Sequence, residues 1–243
     1  MLNSFDVSIV SFFNQFAHRS WTLDETLEFV CFSDLLKGGV VIPLLWWAWF
    51  TRDGDQSRRR QIVLSTILAS LVALFIARAL AVTLPYRPRP SHIPELGFLT
   101  PYSVTAVRLK GWSSFPSDHA SLFVALAIGL ISISQPLGMA VLAYVIAVIC
   151  LPRIYVGLHF PTDIIAGAII GGSTTYFINR SSKLKRFIDR RMLVWPERSP
   201  AAFYTCFFIV THQFCTLFQE TRALGNFGLG IIQGMSRVLS DGI

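Results

Sequence analysis

A histidine and a carboxylate lie one helical turn apart in the second half of the chain. His159 stands two residues before Pro161, and Asp163 stands two residues after it. Because proline is favoured in the first turn of a helix, Pro161 is expected to open one, which places the Asp163 carboxylate within reach of the His159 ring. Such a carboxylate fixes the tautomer of an imidazole and raises its nucleophilicity. Arg153 adds a guanidinium suited to phosphate oxygens. Taken alone, this motif also fits a salt bridge at a membrane interface.

A second histidine, His119, closes the run 114–119 (Ser-Phe-Pro-Ser-Asp-His). Pro116 and Ser117 predict a helix N-terminus at this point. Free backbone N–H groups and the helix dipole make such a terminus a site for anions, so His119 is placed to protonate a leaving oxygen. The same residues alone are equally typical of a histidine that only caps a helix.

Two further guanidiniums, those of Arg87 and Arg89, alternate with prolines in the run 87–90 (Arg-Pro-Arg-Pro). The prolines prevent a helix from continuing and stiffen the backbone. Arginine presents a planar fork of donors that matches the oxygens of a phosphate. By itself this run is also what an ordinary anchor to lipid headgroups contains.

The composition indicates that a lipid bilayer surrounds these motifs. Of the 243 residues, 53% are hydrophobic and only 14% are charged, against about 25% charged in a soluble domain. We predict an all-α, polytopic membrane helix bundle of five to six transmembrane helices with an N-terminal interfacial helix. The predicted spans are about 35–50, 61–84, 117–134, 137–151 and 161–178, with 201–218 as a sixth span or a helix packed on the bundle. Two short amphipathic helices, 3–17 and 22–33, precede them, the second with a capping box from Thr22 to Glu25.

These segments divide the chain into 1–34 (interfacial helices), 35–178 (membrane core) and 179–243 (a basic segment, the possible sixth helix and a tail). The net charge is +7. The basic residues fall between apolar segments and do not form a stripe with interleaved aromatic residues, so nucleic acid is not an expected partner. Basic loops at 51–60 and 179–200 predict a cytoplasmic side, which places 85–116 and 152–160 together on the other face. Localisation in a bacterial inner membrane, with the site facing the periplasm or the outside, fits this topology.

The three motifs together resemble the type 2 phosphatidic acid phosphatase family, whose superfamily includes bacterial undecaprenyl-diphosphate phosphatases and the vanadium haloperoxidases. The signatures of that family are Lys-x6-Arg-Pro, Pro-Ser-Gly-His and Ser-Arg-x5-His-x3-Asp, and the resemblance covers roughly residues 78–170. It implies that His159 is a nucleophile forming a phosphohistidine, oriented by Asp163. His119 is implied as the acid for the leaving group and then as the base for water. The implied phosphate ligands are Arg89, Arg153 and Ser117 with its neighbouring amides. Arg87 is a further candidate, from the Arg-Pro-Arg-Pro run rather than from the resemblance. No metal and no cofactor is implied.

The chain departs from the family pattern at three positions. The signature lysine falls at Val82; Arg78, one turn deeper, is a candidate to replace it by snorkelling, and Lys110 is a weaker one. Asp118 replaces the glycine of the second signature. Its backbone amide can still donate to a bound phosphate, but its carboxylate repels phosphate unless it pairs with an arginine or turns away. The Pro-Ser-Asp-His form resembles some undecaprenyl-diphosphate phosphatases. Pro152 stands where the third signature has serine.

The predicted function is therefore a membrane lipid phosphatase, with a lipid phosphate as substrate and membrane lipids as surroundings. Undecaprenyl diphosphate is the first expected substrate; phosphatidylglycerophosphate, phosphatidate and lipid A phosphates are the alternatives. A lipid phosphotransferase on the same scaffold shares the intermediate and stays open. A non-enzymatic membrane protein that only retains the fold is the third hypothesis. It is disfavoured by the five core motif residues Arg89, His119, Arg153, His159 and Asp163. A soluble haloperoxidase is disfavoured by the hydropathy.

Overall fold

Helices make up all of the regular structure among the described residues of the computed structural model, which are 3–52, 55–102, 112–219 and isolated positions between 221 and 231. No strand occurs in that part of the chain. The helices are α1 Ser4–Asn14, α2 Trp21–Phe32, α3 Asp34–Phe50, α4 Gln56–Thr83, α5 Asp118–Ile131, α6 Gln135–Tyr144, α7 Leu151–Tyr155, α8 Pro161–Arg180, α9 Ser182–Phe187, α10 Trp195–Arg198 and α11 Pro200–Cys215. π-helical segments join α6 to α7 (Val145–Cys150) and follow α9 (Ile188–Met192), and two short 3-10 turns lie at Pro90–His92 and Pro94–Leu96.

The chain forms an all-α polytopic membrane bundle, as predicted. By length and hydropathy, two of its described helical stretches can cross a bilayer, α4 and the continuous stretch Gln135–Tyr155. The pair α2–α3, bent by 46°, counts as a third only if the two helices form one broken span. α5 is a shorter apolar helix. Large apolar side chains such as Phe75, Ile169 and Phe177 point out of the bundle and are more than half exposed. Hydrocarbon is the solvent that suits such a surface.

The helix that carries Arg153 is longer than the sequence analysis predicted. The predicted loop began at residue 152, but the chain stays helical as far as Tyr155. A proline inside a helix clashes with the carbonyl four residues earlier. Pro152 lies two residues after Cys150, so the carbonyl four residues before it, that of Val148, belongs to the π-helical segment Val145–Cys150. The wider turn of that segment relieves the clash. Arg153 is therefore held on a helix rather than on a loop.

Helix starts coincide with short polar side chains that accept backbone N–H groups. The Ser117 hydroxyl accepts from Ala120 at the start of α5, as the sequence predicted for this terminus. At α2 the prediction was wrong, because Ser20, rather than Thr22, caps the helix and accepts from Leu23. α8 begins at Pro161, as predicted.

Two glycines on α8 bring it unusually close to α5. A Cβ atom at Gly167 would lie 2.4 Å from the carbonyl oxygen of Ser117, and one at Gly171 would lie 2.2 Å from that of Ser121. Small residues four apart let two membrane helices approach through their backbones. The first turns of α5 and α8 consequently lie side by side, and the Ser117 N–H donates to the Asp163 carbonyl oxygen at 3.0 Å.

The bundle has two chemically different ends. The basic end contains the start of α4 and the Lys- and Arg-rich segment after α8, and the motif-bearing end contains the starts of α5 and α8. At the basic end, Gln61 donates to Asp189 at 2.6 Å and Ser65 donates to Asn179 at 2.5 Å, so the start of α4 lies near the end of α8 and the segment after it. α4 and α8 run in opposite directions, so the end of α4 and the start of α8 lie together at the other end. The motifs begin at that end.

Candidate active site

Backbone and side-chain hydrogen bonds join the three sequence motifs. The Ser114 N–H donates to the Arg87 carbonyl oxygen at 2.9 Å, and the Ser114 hydroxyl donates to that of Pro88 at 3.3 Å. Arg89 donates through Nη1 to the Leu158 carbonyl oxygen at 2.9 Å. Residues separated by up to 69 positions are thus brought to one face of the bundle.

The turn that carries His159 depends on a glycine. Gly157 has φ +77°, in the left-handed region that glycine adopts without strain, and a Cβ there would meet the Phe98 ring at 2.6 Å. Its carbonyl oxygen accepts from the N–H of Ser91 at 3.1 Å and from the Ser91 hydroxyl at 2.9 Å. The loop after α4 therefore packs on this turn and fixes the start of α8.

His159 is buried, and its ring is oriented by a backbone carbonyl. Nδ1 lies 2.9 Å from the Ser114 carbonyl oxygen, and 3.7 Å from Oδ2 of Asp163. A carbonyl oxygen only accepts, so Nδ1 carries the proton and Nε2 keeps its lone pair. The sequence predicted that Asp163 orients this ring; in the structure Ser114 makes the shorter contact and Asp163 the longer one.

Burial is the main cause that lowers the pKa of His159 below its ordinary 6.5. The neighbouring Asp163 carboxylate raises that pKa, whereas the charges of Arg89 and Arg153 lower it further. The ring is therefore neutral near pH 7, the state in which Nε2 can attack phosphorus.

The Asp163 carboxylate is fully buried and serves several partners. Oδ2 accepts from the Phe160 N–H at 2.7 Å, which caps the first turn of α8. Oδ1 accepts a short charged hydrogen bond from Arg87. The guanidinium of Arg87 also lies over the Phe160 ring, 4.4 Å from its centroid.

His119 occupies the first turn of α5, beside the first turn of α8. It is half-buried, and its ring is nearly parallel to that of Phe123 at 6.5 Å between centroids. Ser117, the residue that caps α5, is fully buried and adjoins Asp163 through its N–H. The two histidines of the motifs thus stand at neighbouring helix N-termini, where backbone N–H groups favour an anion.

Two of the predicted phosphate ligands are buried guanidiniums. Their Nη1 atoms bind backbone carbonyl oxygens and, in Arg153, also the Cys31 sulfur at 3.6 Å. Arg89 binds the Leu158 carbonyl, and Arg153 binds the carbonyls of Cys31 and Ile149, each at 3.1 Å. The Nε–H of each arginine is buried and has no hydrogen-bond partner within the described part of the chain. Burial lowers the pKa of Arg89, which still keeps its charge because arginine is not deprotonated in proteins. Unpaired buried donors are costly, so a phosphate that accepts from them is favoured.

The other two arginines face carboxylates. Arg78 makes a short ion pair with Asp118, and its guanidinium lies 4.7 Å from the centre of the Trp112 ring. The Asp118 carboxylate is therefore paired with an arginine, one of the two arrangements that the sequence analysis required if it is not to repel phosphate. Val82, at the position of the family lysine, is 83% exposed on the outside of the bundle. Lys110 lies outside the described residues.

The sequence did not predict the residue that holds Arg87 from the other side. Asp6, in the first turn of α1, is fully buried and accepts from Arg87 Nη2 at 2.6 Å. Thr162 also donates to Asp6, at 2.6 Å from its hydroxyl. The available signal was a lone carboxylate within a strongly apolar amphipathic segment, which is costly unless it has a partner.

The likeness to known proteins agrees with this geometry. A model of the PAP2 superfamily matches residues 60–187. Undecaprenyl-diphosphatase BcrC of Bacillus subtilis is 24% identical over 177 residues, covering 71% of this chain and 82% of that protein. Lipid A 4'-phosphatase of Bacteroides thetaiotaomicron is 38% identical, over 87 residues that cover 35% of this chain and 38% of that protein.

Among solved structures, Aquifex aeolicus LpxE has a similar fold, with a TM-score of 0.54 and 23% identity over 72% of this chain and 94% of that one. The family match spans more than half of the sequence and contains all three motifs, which the structure brings to one face. The resemblance drawn from those motifs is confirmed, and the chain belongs to the PAP2 superfamily.

Proposed function

We propose that this membrane protein is a lipid phosphate phosphatase that works through a phosphohistidine on His159, with undecaprenyl diphosphate as its preferred substrate. One observation carries the proposal. A neutral His159, whose Nδ1 is held by the Ser114 carbonyl, lies under the electrostatic influence of two buried guanidiniums with unpaired Nε donors, those of Arg89 and Arg153. A nucleophile beside unsatisfied cationic donors suits attack on an anionic phosphate.

The proposed reaction has two balanced steps. In the first, Nε2 of His159 attacks phosphorus, the bond from phosphorus to the leaving oxygen breaks, and His119 gives that oxygen a proton. In the second, water attacks the phosphohistidine, His119 takes a proton from it, and the bond between nitrogen and phosphorus breaks to release phosphate. Arg89 and Arg153 bind the phosphoryl oxygens, whose charge distribution changes in both transition states.

A lipid substrate is supported by the apolar surroundings of the site. A groove of about 520 Å³ lies between α1 and the helices that carry Arg153 and Asp163. Its walls include Ile154, next to Arg153, and Pro161, two residues from His159. A chain lying in hydrocarbon beside this groove can present its phosphate to the site without leaving the bilayer.

The names of the similar proteins favour some candidate lipids over others. BcrC, named as an undecaprenyl-diphosphatase, aligns over most of its own length, which favours undecaprenyl diphosphate for this chain. The higher identity to a lipid A 4'-phosphatase over a shorter stretch makes a lipid A phosphate the second candidate. Phosphatidylglycerophosphate and phosphatidate are further alternatives. Transfer of the phosphoryl group to another lipid shares the first step.

We further propose a bacterial inner-membrane location, with the site on the periplasmic or outer face. The clustering of Lys and Arg in 55–60 and 179–200, at the end opposite the motifs, supports that orientation. Residues 35–178 remain the proposed core, flanked by 1–34 and 179–243. A cysteine placed at Glu95, an exposed position of the loop after α4, should react with a membrane-impermeant maleimide in intact cells above the wild-type background. A lack of labelling there would reverse the orientation.

The decisive experiment is phosphate release by the purified protein from single lipids: undecaprenyl diphosphate, a lipid A phosphate, phosphatidylglycerophosphate and phosphatidate. We expect the highest kcat/KM with undecaprenyl diphosphate, release in the absence of any acceptor lipid, and full activity in EDTA. His159→Ala should abolish turnover, and His212→Ala, on α11, should not. Acid-labile phosphate trapped on the protein should disappear with His159→Ala. Full turnover by that variant, or a strict need for Mg²⁺, would overturn the mechanism.

A further inference from the structure

The N-terminal helix contributes a buried carboxylate to the candidate site. Asp6 in α1 has no solvent exposure and accepts four hydrogen bonds from outside its own backbone ladder. The donors are Asn3 Nδ2 at 2.9 Å, Arg87 Nη2 at 2.6 Å, and the N–H and hydroxyl of Thr162 at 3.0 Å and 2.6 Å. Two of these three partners, Arg87 and Thr162, belong to the sequence motifs, so an amphipathic helix that merely rests in the interface does not account for this residue.

Arg87 connects Asp6 to Asp163. One terminal nitrogen, Nη2, binds Asp6, and the other, Nη1, binds Asp163 and, at 2.8 Å, the hydroxyl of Thr162. One positive charge therefore lies between two fully buried carboxylates. The guanidinium fork is rigid, so fixing one of its nitrogens on Asp6 also fixes the direction in which the other meets Asp163.

Asp6 also acts on the first turn of α8 directly. The Thr162 N–H is one of the donors that a helix N-terminus leaves without an internal partner, and the Asp6 carboxylate accepts it. Burial raises the pKa of Asp6, but the hydrogen bonds from Thr162 and Arg87 lower it by more, so the group is ionised. An ionised carboxylate from α1 thus holds the turn from which Asp163 projects.

We propose that Asp6 is a positioning residue for the phosphatase reaction, which fixes Arg87 and the first turn of α8 so that Asp163 stays aligned with His159. The inference rests on the proposed function, because it assigns Asp6 to the same chemistry. It gives α1 a role in the site that the prediction of an interfacial helix did not contain. Asp6 does not itself touch the reacting atoms in this arrangement.

The test is Asp6→Asn, which keeps the size of the side chain and can still accept from Thr162 but removes the charge. We expect kcat to fall by about 10- to 100-fold, because misplaced catalytic groups cost up to about that factor. KM should change by less than about threefold, because Arg89 and Arg153 remain in place. His159 is faced by Asp163, Arg89 and Arg153. Without the charge of Asp6, the Arg87 guanidinium is left to neutralise Asp163 alone, and the carboxylate that raises the pKa of His159 is weakened. The pKa of His159 should therefore fall, and the acidic limb of kcat/KM should move to lower pH.

The matched control is Asp24→Asn on α2. Asp24 is an equally buried carboxylate of the N-terminal helices, and it accepts from Tyr155, from the N–H of His18 and from the N–H of Tyr102 rather than from Arg87. Thermal unfolding in detergent reports any loss of folded protein for both variants. We expect both to lose stability, whereas only Asp6→Asn should move the acidic limb. The same kcat and the same limb in Asp6→Asn and wild type would overturn the inference.

A second variant shows whether Asp6 acts through Arg87. Arg87→Gln should itself lower kcat, and adding Asp6→Asn to it should cause less than about a threefold further loss. A full additional loss would mean that Asp6 acts only by anchoring α1. These outcomes differ from a failure of the proposed function, in which the wild-type protein releases no phosphate from any lipid of the panel.

Discussion

Two pairs of arginines lie at the same end of the bundle and have opposite surroundings. Arg89 and Arg153 are buried against backbone carbonyl oxygens, and each has a buried Nε–H without a partner. Arg78 and Arg87 are partly exposed and bind carboxylates, Asp118 in the one case and two aspartates in the other. The first pair retains positive charge and donors for a ligand, whereas the charge of the second pair is already neutralised.

The two pairs of arginines are suited to different tasks, the first to binding a phosphate and the second to positioning other residues. A carbonyl oxygen orients a guanidinium without cancelling its charge, so the field of Arg89 and Arg153 stays available to a phosphate. A carboxylate also orients the guanidinium, but it neutralises the positive charge at the same time. All four arginines were predicted as phosphate ligands. The structure supports that role for Arg89 and Arg153, and it favours a structural task for Arg78 and Arg87.

The largest expected effect is the loss of either carbonyl-bound arginine. Arg153→Ala or Arg89→Ala should lower kcat/KM by about 10²- to 10³-fold, because each removes a preorganised cationic donor from the phosphoryl group. Arg58→Ala at the exposed basic end is the matched control and should leave kcat/KM unchanged. Phosphate release with the purified variants measures all three. Wild-type rates in Arg153→Ala would show that its charge does not reach the substrate.

The motifs themselves could be predicted because their chemistry depends on short spacing along the chain. His159 and Asp163 are four residues apart at the start of a helix, and Pro161 and Ser117 indicate where the helices begin. A helix start fixes which neighbouring residues share a face, so sequence alone places these groups together.

The partners of the arginines could not be predicted in the same way. Arg87 meets Asp6 across 81 positions of sequence, and no local pattern encodes that distance. The close packing of α5 on α8 and the turn at Gly157 bring such groups together, and both depend on tertiary contacts. For the same reason the sequence named Asp163 as the group that orients His159, whereas the shorter contact is a backbone carbonyl. A carbonyl has no side-chain signature.

The two pairs of arginines should differ in their effect on the acidic limb of the profile of kcat/KM against pH. Burial lowers the pKa of His159, and the charge of Arg89 lowers it further. Arg89→Gln should therefore raise that pKa towards its ordinary value. A raised pKa protonates the nucleophile at a higher pH, so the acidic limb of kcat/KM should move upwards. Arg78→Gln should leave the limb in place. A shift of equal size in both variants would remove the distinction between the pairs.

The smallest effect is expected from the pair formed by Arg78 and Asp118. Arg78→Ala removes the positive charge that pairs with the Asp118 carboxylate, which then repels a bound phosphate more strongly. We therefore expect kcat/KM to fall by about 10-fold, within the 0.5–3 kcal/mol typical of charges in contact. Asp118→Ala removes the repulsion, and the double variant Arg78→Ala/Asp118→Ala should therefore be more active than Arg78→Ala alone. Measuring the four proteins of this cycle isolates the coupling of the two side chains. If the double variant is no better than Arg78→Ala, the guanidinium serves the phosphate directly and replaces the family lysine. Recovery would instead mean that Arg78 offsets the aspartate that this chain has in place of glycine.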